Sequence, residues 1–374
     1  MIFLGINGEV YLSILCEHRF PTWHPVLRSG SKHPEPGNKH GDNQMLDVLN
    51  RLKLNQPIAT ALVASIALSA SAFASAPKLR AFDIEIVASE LNQPTGIATN
   101  SFRTLYYSEV PDPGVFGAGN TVKRLDLRSG ESTLISEGEP YPIHIALDRR
   151  SNVYWTCKTA GVILKYDRYR KTRAPYLPKD FNPETTSDED RLMSPSGLTF
   201  NRYGEALFTE VPDPGMVGLN MVSATNGDAI TLISDGEPEP TDIVLAPNGA
   251  AYWTCKTAGV ILRRSSVGVI TKLLLDLEQP NGIAIDQTGR YLYFTELPTP
   301  GLFGGDVGPE DQGGSNRVME YDLWKNKLTM VSFGFPLPAD VAVAPNGKIY
   351  WTCSTVGVIA CATPKGSRGR NYRW

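Results

Sequence analysis

A ten-residue phrase occurs three times in this chain. It reads YWTCKTAGVI from Tyr154 to Ile163, YWTCKTAGVI again from Tyr252 to Ile261, and YWTCSTVGVI from Tyr350 to Ile359. The spacing is 98 residues both times. A fixed period of this kind marks a repeat architecture, in which each unit buries its apolar face by stacking on its neighbours. It also supplies a ruler, because any residue can be compared with those 98 positions away. At 374 residues the chain has room for two ordinary domains, and the repeat argues for one.

Each unit divides again. Segment 95–138 runs through Gly96-Ile97-Ala98, then Leu105-Tyr106-Tyr107-Ser108-Glu109-Val110, then Val122-Lys123-Arg124-Leu125, then Thr133-Leu134-Ile135. Four short β-rich runs separated by turn residues describe one propeller blade. Segment 143–175 does the same around the first YWTC strand. The pattern predicts an all-β, six-bladed β-propeller over residues 79–361, made of three two-blade repeats. Its inner strands should begin near Thr95, Ile143, Ser196, Thr241, Asn281 and Ala339. The 34 glycines and 28 prolines suit many strands joined by tight turns. The run Ile84 to Leu91 reads as an outer strand without a blade, and the sixth blade lacks one after Cys361. The N-terminal strand is therefore expected to complete that blade and close the ring, removing a sheet edge.

The flanks read differently. Residues 1–44 are rich in Pro, Gly and His without period, and read as an upstream extension with Met45 as the true start. Residues 45–74 carry Arg51 and Lys53, an apolar run from Ile58 to Ala70, and a small-residue site ending at Ala74. That is the layout of a signal peptide and predicts secretion. The tail 362–374 is basic. A net charge of −3 gives no basic field for nucleic acid or an anionic membrane, so the expected partner is a small molecule and the expected state a monomer. Cys157, Cys255 and Cys353 are equivalent positions, too far apart to bond one another. Cys353 and Cys361 flank one hairpin and can pair; the alternative is that all four are small buried hydrophobes.

The chemistry is placed by topology. The start of a blade's first strand and the end of its second lie on one face, at the mouth of the central channel. Odd blades start Pro94-Thr95-Gly96, Pro195-Ser196-Gly197 and Pro280-Asn281-Gly282. Even blades replace the glycine: Pro142-Ile143-His144, Pro240-Thr241-Asp242 and Pro338-Ala339-Asp340. His144, Asp242 and Asp340 are 98 apart, and should face one another around the axis. One imidazole with two carboxylates suits acid–base chemistry or a divalent metal ion; alternatively the three cap strand starts. They are the candidate catalytic residues. Thr95, Ser196 and Asn281 are candidate substrate contacts beside them. So are Lys158 and Lys256, which give way to Ser354 in the third unit, and Glu109, Glu210 and Glu296, each before a Pro/Gly loop. The glutamates can also serve structurally by accepting loop amides. The insertion 176–193 and the loop from Pro298 to Asn316 break the period. No nucleophile elbow, P-loop, dinucleotide fingerprint or paired CxxC occurs.

The phrases Gln279-Pro280-Asn281-Gly282-Ile283-Ala284-Ile285-Asp286 and Tyr291-Leu292-Tyr293-Phe294-Thr295-Glu296 resemble blades of the regucalcin, gluconolactonase and strictosidine-synthase-like six-bladed propellers. In the lactonases of that group Glu, Asn, Asn and Asp hold a divalent ion at the channel mouth. Asn281 falls at a matching Pro-Asn-Gly, Thr95 and Ser196 stand at the other odd-blade positions, and Asp242 and Asp340 are displaced by one residue. The threefold YWTC units also look like a secreted fungal propeller group. Some of its members act as hetero-Diels–Alderases that join a quinone methide to a terpene. That resemblance implies a metal-free cyclase or pericyclase of secondary metabolism with no cofactor. The alternatives are a lactonase-type hydrolase with one divalent ion and a non-catalytic binding propeller.

Overall fold

The computed structural model describes residues 2–4, 10–12, 82–111, 119–212, 219–227, 229–297 and 316–365. The chain divides into two units, 1–74 and 75–374. In the first, Ile2–Leu4 pairs antiparallel with Val10–Leu12. The signal peptide read over 45–74, most of the extension before it and the tail beyond 365 lie outside the described residues.

The second unit is a six-bladed β-propeller of antiparallel four-stranded sheets. Blade one is Pro94–Ala98, Thr104–Glu109, Thr121–Asp126 and Ser132–Glu137, counted from the axis outward. The innermost strands of blades two to six are Pro142–Leu147, Pro195–Phe200, Pro240–Leu245, Pro280–Ile285 and Pro338–Val343. All six start one residue before the positions expected. Blade six is completed by Phe82–Ala88, which pairs with Val358–Pro364 as predicted.

The YWTC phrase is the second strand of each even blade, and period-two alternation explains why it pairs Tyr with Trp. Trp155 packs back against Ala98, Tyr106 and Val122 of blade one. Tyr154 packs forward against Leu198 and Phe208 of blade three. Trp253 and Trp351 repeat the backward contact on blades three and five. Tyr252 and Tyr350 repeat the forward contact on blades five and one. All three tryptophans are fully buried. Each contributes on the order of 5 kcal/mol from roughly 200 Å² of apolar surface. Among the described residues Cys157, Cys255, Cys353 and Cys361 are free and buried, so the Cys353–Cys361 pairing is not formed.

The polar joints between inner strands are of two kinds. Within a unit, the odd-blade glycine lets one inner strand lie against the next. A Cβ on Gly96, Gly197 or Gly282 would stand 2.8, 2.5 or 2.7 Å from the Cα of His144, Asp242 or Asp340. Between units the even blade reaches forward with hydroxyls. Thr156, Thr254 and Thr352 donate to the carbonyls of Ser196, Asn281 and Thr95 at 2.8, 2.6 and 2.6 Å. The junction of blade six with blade one is thus built like the other two.

Candidate functional site

The residue before each inner-strand proline is held in the left-handed region. Gln93, Tyr141, Ser194, Glu239, Gln279 and Leu337 have φ between 46° and 58°. A following proline disfavours helical backbone, and here the left-handed turn is closed by a hydrogen bond. The end of the second strand caps it: the amides of Lys158, Lys256 and Ser354 donate to the carbonyls of Tyr141, Glu239 and Leu337 at 3.1, 3.0 and 3.2 Å. In the even blades this turn carries Tyr141, Glu239 and Leu337 into the mouth. A register shift follows the proline in every inner pair. Such bulges re-aim side chains, and here they bring Ile143, Thr241 and Ala339 to the mouth as well.

The result is a cavity of about 180 Å³ with a lopsided wall. Units one and two supply Tyr141, Lys158, Glu239 and Lys256. Unit three supplies Leu337, Ala339 and Ser354 in the corresponding places. Lys256 Nζ lies 3.9 Å from a Glu239 carboxylate oxygen. Burial holds the Lys158 amine below its ordinary range; Glu239 opposes this and Lys256 adds to it. Burial also raises the Tyr141 phenol, which keeps it a neutral hydrogen-bond donor at physiological pH.

His144, Asp242 and Asp340 form the floor. Nδ1 of His144 lies 3.4 Å from an oxygen of each aspartate. Its Nε2 faces the Leu198 carbonyl at 3.1 Å. Both oxygens of each aspartate accept backbone amides. Asp242 takes Ile243 and Ile283, each at 2.7 Å. Asp340 takes Val341 at 2.7 Å and Ile97 at 2.9 Å. All three side chains reach forward onto the equivalent position of the next blade: Leu198, Ile283, Ile97. Burial by itself lowers the His144 pKa, but the two carboxylates outweigh it and take it up to about 9. Burial, with the charge of Asp340 added, pushes Asp242 up to about 7 against the pull of His144. The imidazole is therefore a cation at neutral pH, with both nitrogens engaged. Below this floor lies a second part of the channel, whose lining includes Ile97, Ile145, Leu198, Ile243, Ile283 and Val341.

The structure brings together Thr95, His144, Lys158, Ser196, Asp242, Lys256, Asn281 and Asp340 around one cavity. It does not bring Glu109, Glu210 and Glu296 there. These carboxylates are buried and accept the amides of Asn92, Met193 and Glu278 at 3.1, 2.7 and 2.8 Å, closing the loops that lead into the odd blades. Glu109 also pairs with Lys123, and Glu296 with Arg317 at 2.8 Å. Among the described residues none of the three glutamates pairs with Lys158 or Lys256. Tyr141, Glu239 and Leu337 were not expected at the mouth. Their signal was present, since they stand 98 apart immediately before the even-blade prolines.

The side chains at the three odd-blade positions hydrogen-bond to backbone carbonyls of the following even blade. Thr95 Oγ1 contacts the Pro142 carbonyl at 3.2 Å, Ser196 Oγ the Thr241 carbonyl at 2.7 Å, and Asn281 Nδ2 the Ala339 carbonyl at 2.6 Å. The three ligand-type atoms of His144, Asp242 and Asp340 lie within 4.8 Å of one another, as a metal site requires. Each carboxylate oxygen already accepts a backbone amide, and the imidazole, protonated at neutral pH, offers an ion no lone pair until it loses that proton.

No protein-family model matches the chain, and no curated protein matches it. Solved structures do. A gluconolactonase from Xanthomonas campestris aligns with 75% of this chain and 89% of its own at a TM-score of 0.57 and 14% identity. A Bacteroides thetaiotaomicron protein of unknown function aligns with 75% of this chain and 72% of its own, with a TM-score of 0.53 and 12% identity. A streptogramin B lyase aligns with 75% of this chain and 97% of its own, with a TM-score of 0.50 and 15% identity. At such identities the likeness is one of fold.

Proposed function

We propose that the chain is an exported small-molecule enzyme, with Met45–Ala74 as its export signal and the channel mouth as its active site. The reaction is a metal-free cyclisation of the pericyclic kind, in which an electron-poor oxygen-bearing partner closes a ring with an alkene. The observation that carries this reading is the two-sided wall. Lys158, Lys256 and Tyr141 offer donors on one side, and Leu337, Ala339 and Leu297 offer an apolar seat on the other. Neighbours in fold that include a gluconolactonase and a lyase support an enzymatic propeller in general terms.

In such a step no proton needs to move. Electron density flows from the alkene into the heterodiene, and its oxygen gains negative charge. A preorganised ammonium or phenol donor stabilises that charge more than the ground state. Glu239, 3.9 Å from Lys256 Nζ, orients that side chain, and the apolar side holds the alkene over the reacting carbons. His144, fixed on both nitrogens, is a positioning group for the floor and not the base.

The test supplies an ortho-quinone methide, released in solution from a masked precursor, together with a cyclic terpene alkene. The expected product is an adduct of one handedness. Lys158→Met should lower kcat/KM by about a hundredfold, the loss of one donor to a developing oxyanion. A racemic adduct at the uncatalysed rate would overturn the reading. A second measurement separates the lactonase alternative. Metal analysis of the purified protein is expected to find no stoichiometric divalent ion, and one ion per chain would favour the hydrolase.

A further inference from the structure

The turns on the face opposite the mouth enclose a second cleft, larger than the first, at the boundary of blades three and four. Its volume is about 690 Å³. Three guanidinium groups line it. Arg149 comes from the turn after the inner strand of blade two, Arg202 from the matching turn of blade three, and Arg264 from the end of the third strand of blade four. Phe200, Tyr203 and Leu245 supply apolar wall between them. No carboxylate among the described residues lines the cleft.

The neighbouring acids are committed elsewhere. Asp148 accepts the amides of Arg150 and Asn152 at 2.8 and 2.9 Å and the Tyr154 hydroxyl at 3.1 Å. Glu205 accepts the Asn201 side chain at 2.5 Å. Arg149 reaches only a backbone carbonyl, that of Arg202, at 3.4 Å. The Arg202 guanidinium lies 4.8 Å from the centre of the Tyr203 ring. None of the three arginines forms an ion pair among the described residues. Three cations thus line one cleft, each without a carboxylate partner among the described residues.

The repeat shows that the scaffold does not need them. Arg149 corresponds to Pro247 and Pro345 in the other units, and Arg264 to Tyr166 and Ala362. Counted from the inner-strand proline, Arg202 corresponds to Ser101 and Gln287. All three arginines are therefore particular to one boundary of a threefold ring, where they converge.

We infer that this cleft binds a small organic anion, a phosphate, sulfate or carboxylate carried on an aromatic or alicyclic body. The guanidinium forks take the anion, and Phe200, Tyr203 and Leu245 take the body. The volume falls within the range of pockets that enclose a discrete small molecule. The site is separate from the mouth and does not depend on the reaction proposed there.

The test titrates the full-length protein at low salt with 1-naphthyl phosphate and, separately, with 1-naphthol. Saturable one-to-one binding of the phosphate is expected, at least about tenfold tighter than the alcohol. The double variant Arg202→Gln/Arg264→Gln should weaken it about tenfold or more, with an unchanged circular dichroism spectrum because Arg202 is exposed, Arg264 is only half-buried and neither forms an ion pair among the described residues. Lys158→Gln/Lys256→Gln, which alters the mouth, should leave it unchanged. Equal binding of the alcohol, indifference to the arginine variant, or loss in the lysine variant would each overturn the inference.

Discussion

Replacing His144 with Ala is expected to lower the stability of the ring by about 3–5 kcal/mol, the usual consequence of removing one partner from a buried charge cluster. The imidazolium lies 3.4 Å from both Asp242 and Asp340. Without it two buried carboxylates face each other, and one must take up a proton. The pH dependence gives an independent check. His144 is held at about 9, above its ordinary 6.5. Its contribution is therefore complete below the unfolded value, and it is lost as the pH rises through the folded one. That is on the order of 3 kcal/mol for the histidine alone. Asp242, raised to about 7, acts in the same direction between its ordinary 3.8 and that value. The wild-type protein should thus lose stability from pH 6 to pH 9.5, while the variant loses the histidine part of that slope. Denaturant midpoints at both pH values measure this. A variant as stable as the wild type at pH 6 would show that the cluster is not a charged one.

Gly197→Ala is expected to cost about 3 kcal/mol or more. The added methyl would stand 2.5 Å from the Asp242 Cα and 2.7 Å from the Ile243 nitrogen. Both atoms are backbone of an inner strand in a closed ring, so neither can withdraw without moving a blade. Overpacking usually costs 1–3 kcal/mol where side chains can yield, and roughly the upper end or beyond where they cannot. Gly204 is the control. It has φ of 87°, and a methyl added there would meet nothing within 4 Å, so Gly204→Ala should cost only about 1 kcal/mol in backbone strain. If the two substitutions cost the same, close approach between the inner strands is not what fixes the glycine.

Much of this was legible in the chain because the repeat converts sequence position into angular position. The 98-residue ruler placed His144, Asp242 and Asp340 around one axis, and the closing role of the N-terminal strand followed from counting strands. What the ruler could not give was direction. Glu109, Glu210 and Glu296 each end the second strand of an odd blade, at the right height, but their carboxylates turn back to loop amides. Tyr141 and Glu239 precede prolines and look like linker residues. Only the left-handed turn sends their side chains into the mouth. The arginine cleft was hidden by averaging, since a net charge of −3 over the chain says nothing about three cations meeting at one boundary.

The alternation of the two joints has a consequence for ancestry. In all three units a blade with a glycine at the third inner-strand position is followed by one that carries a side chain there. The smallest unit that duplicates without leaving a mismatched seam is a pair of blades. A lineage that duplicates this unit gains or loses blades in twos.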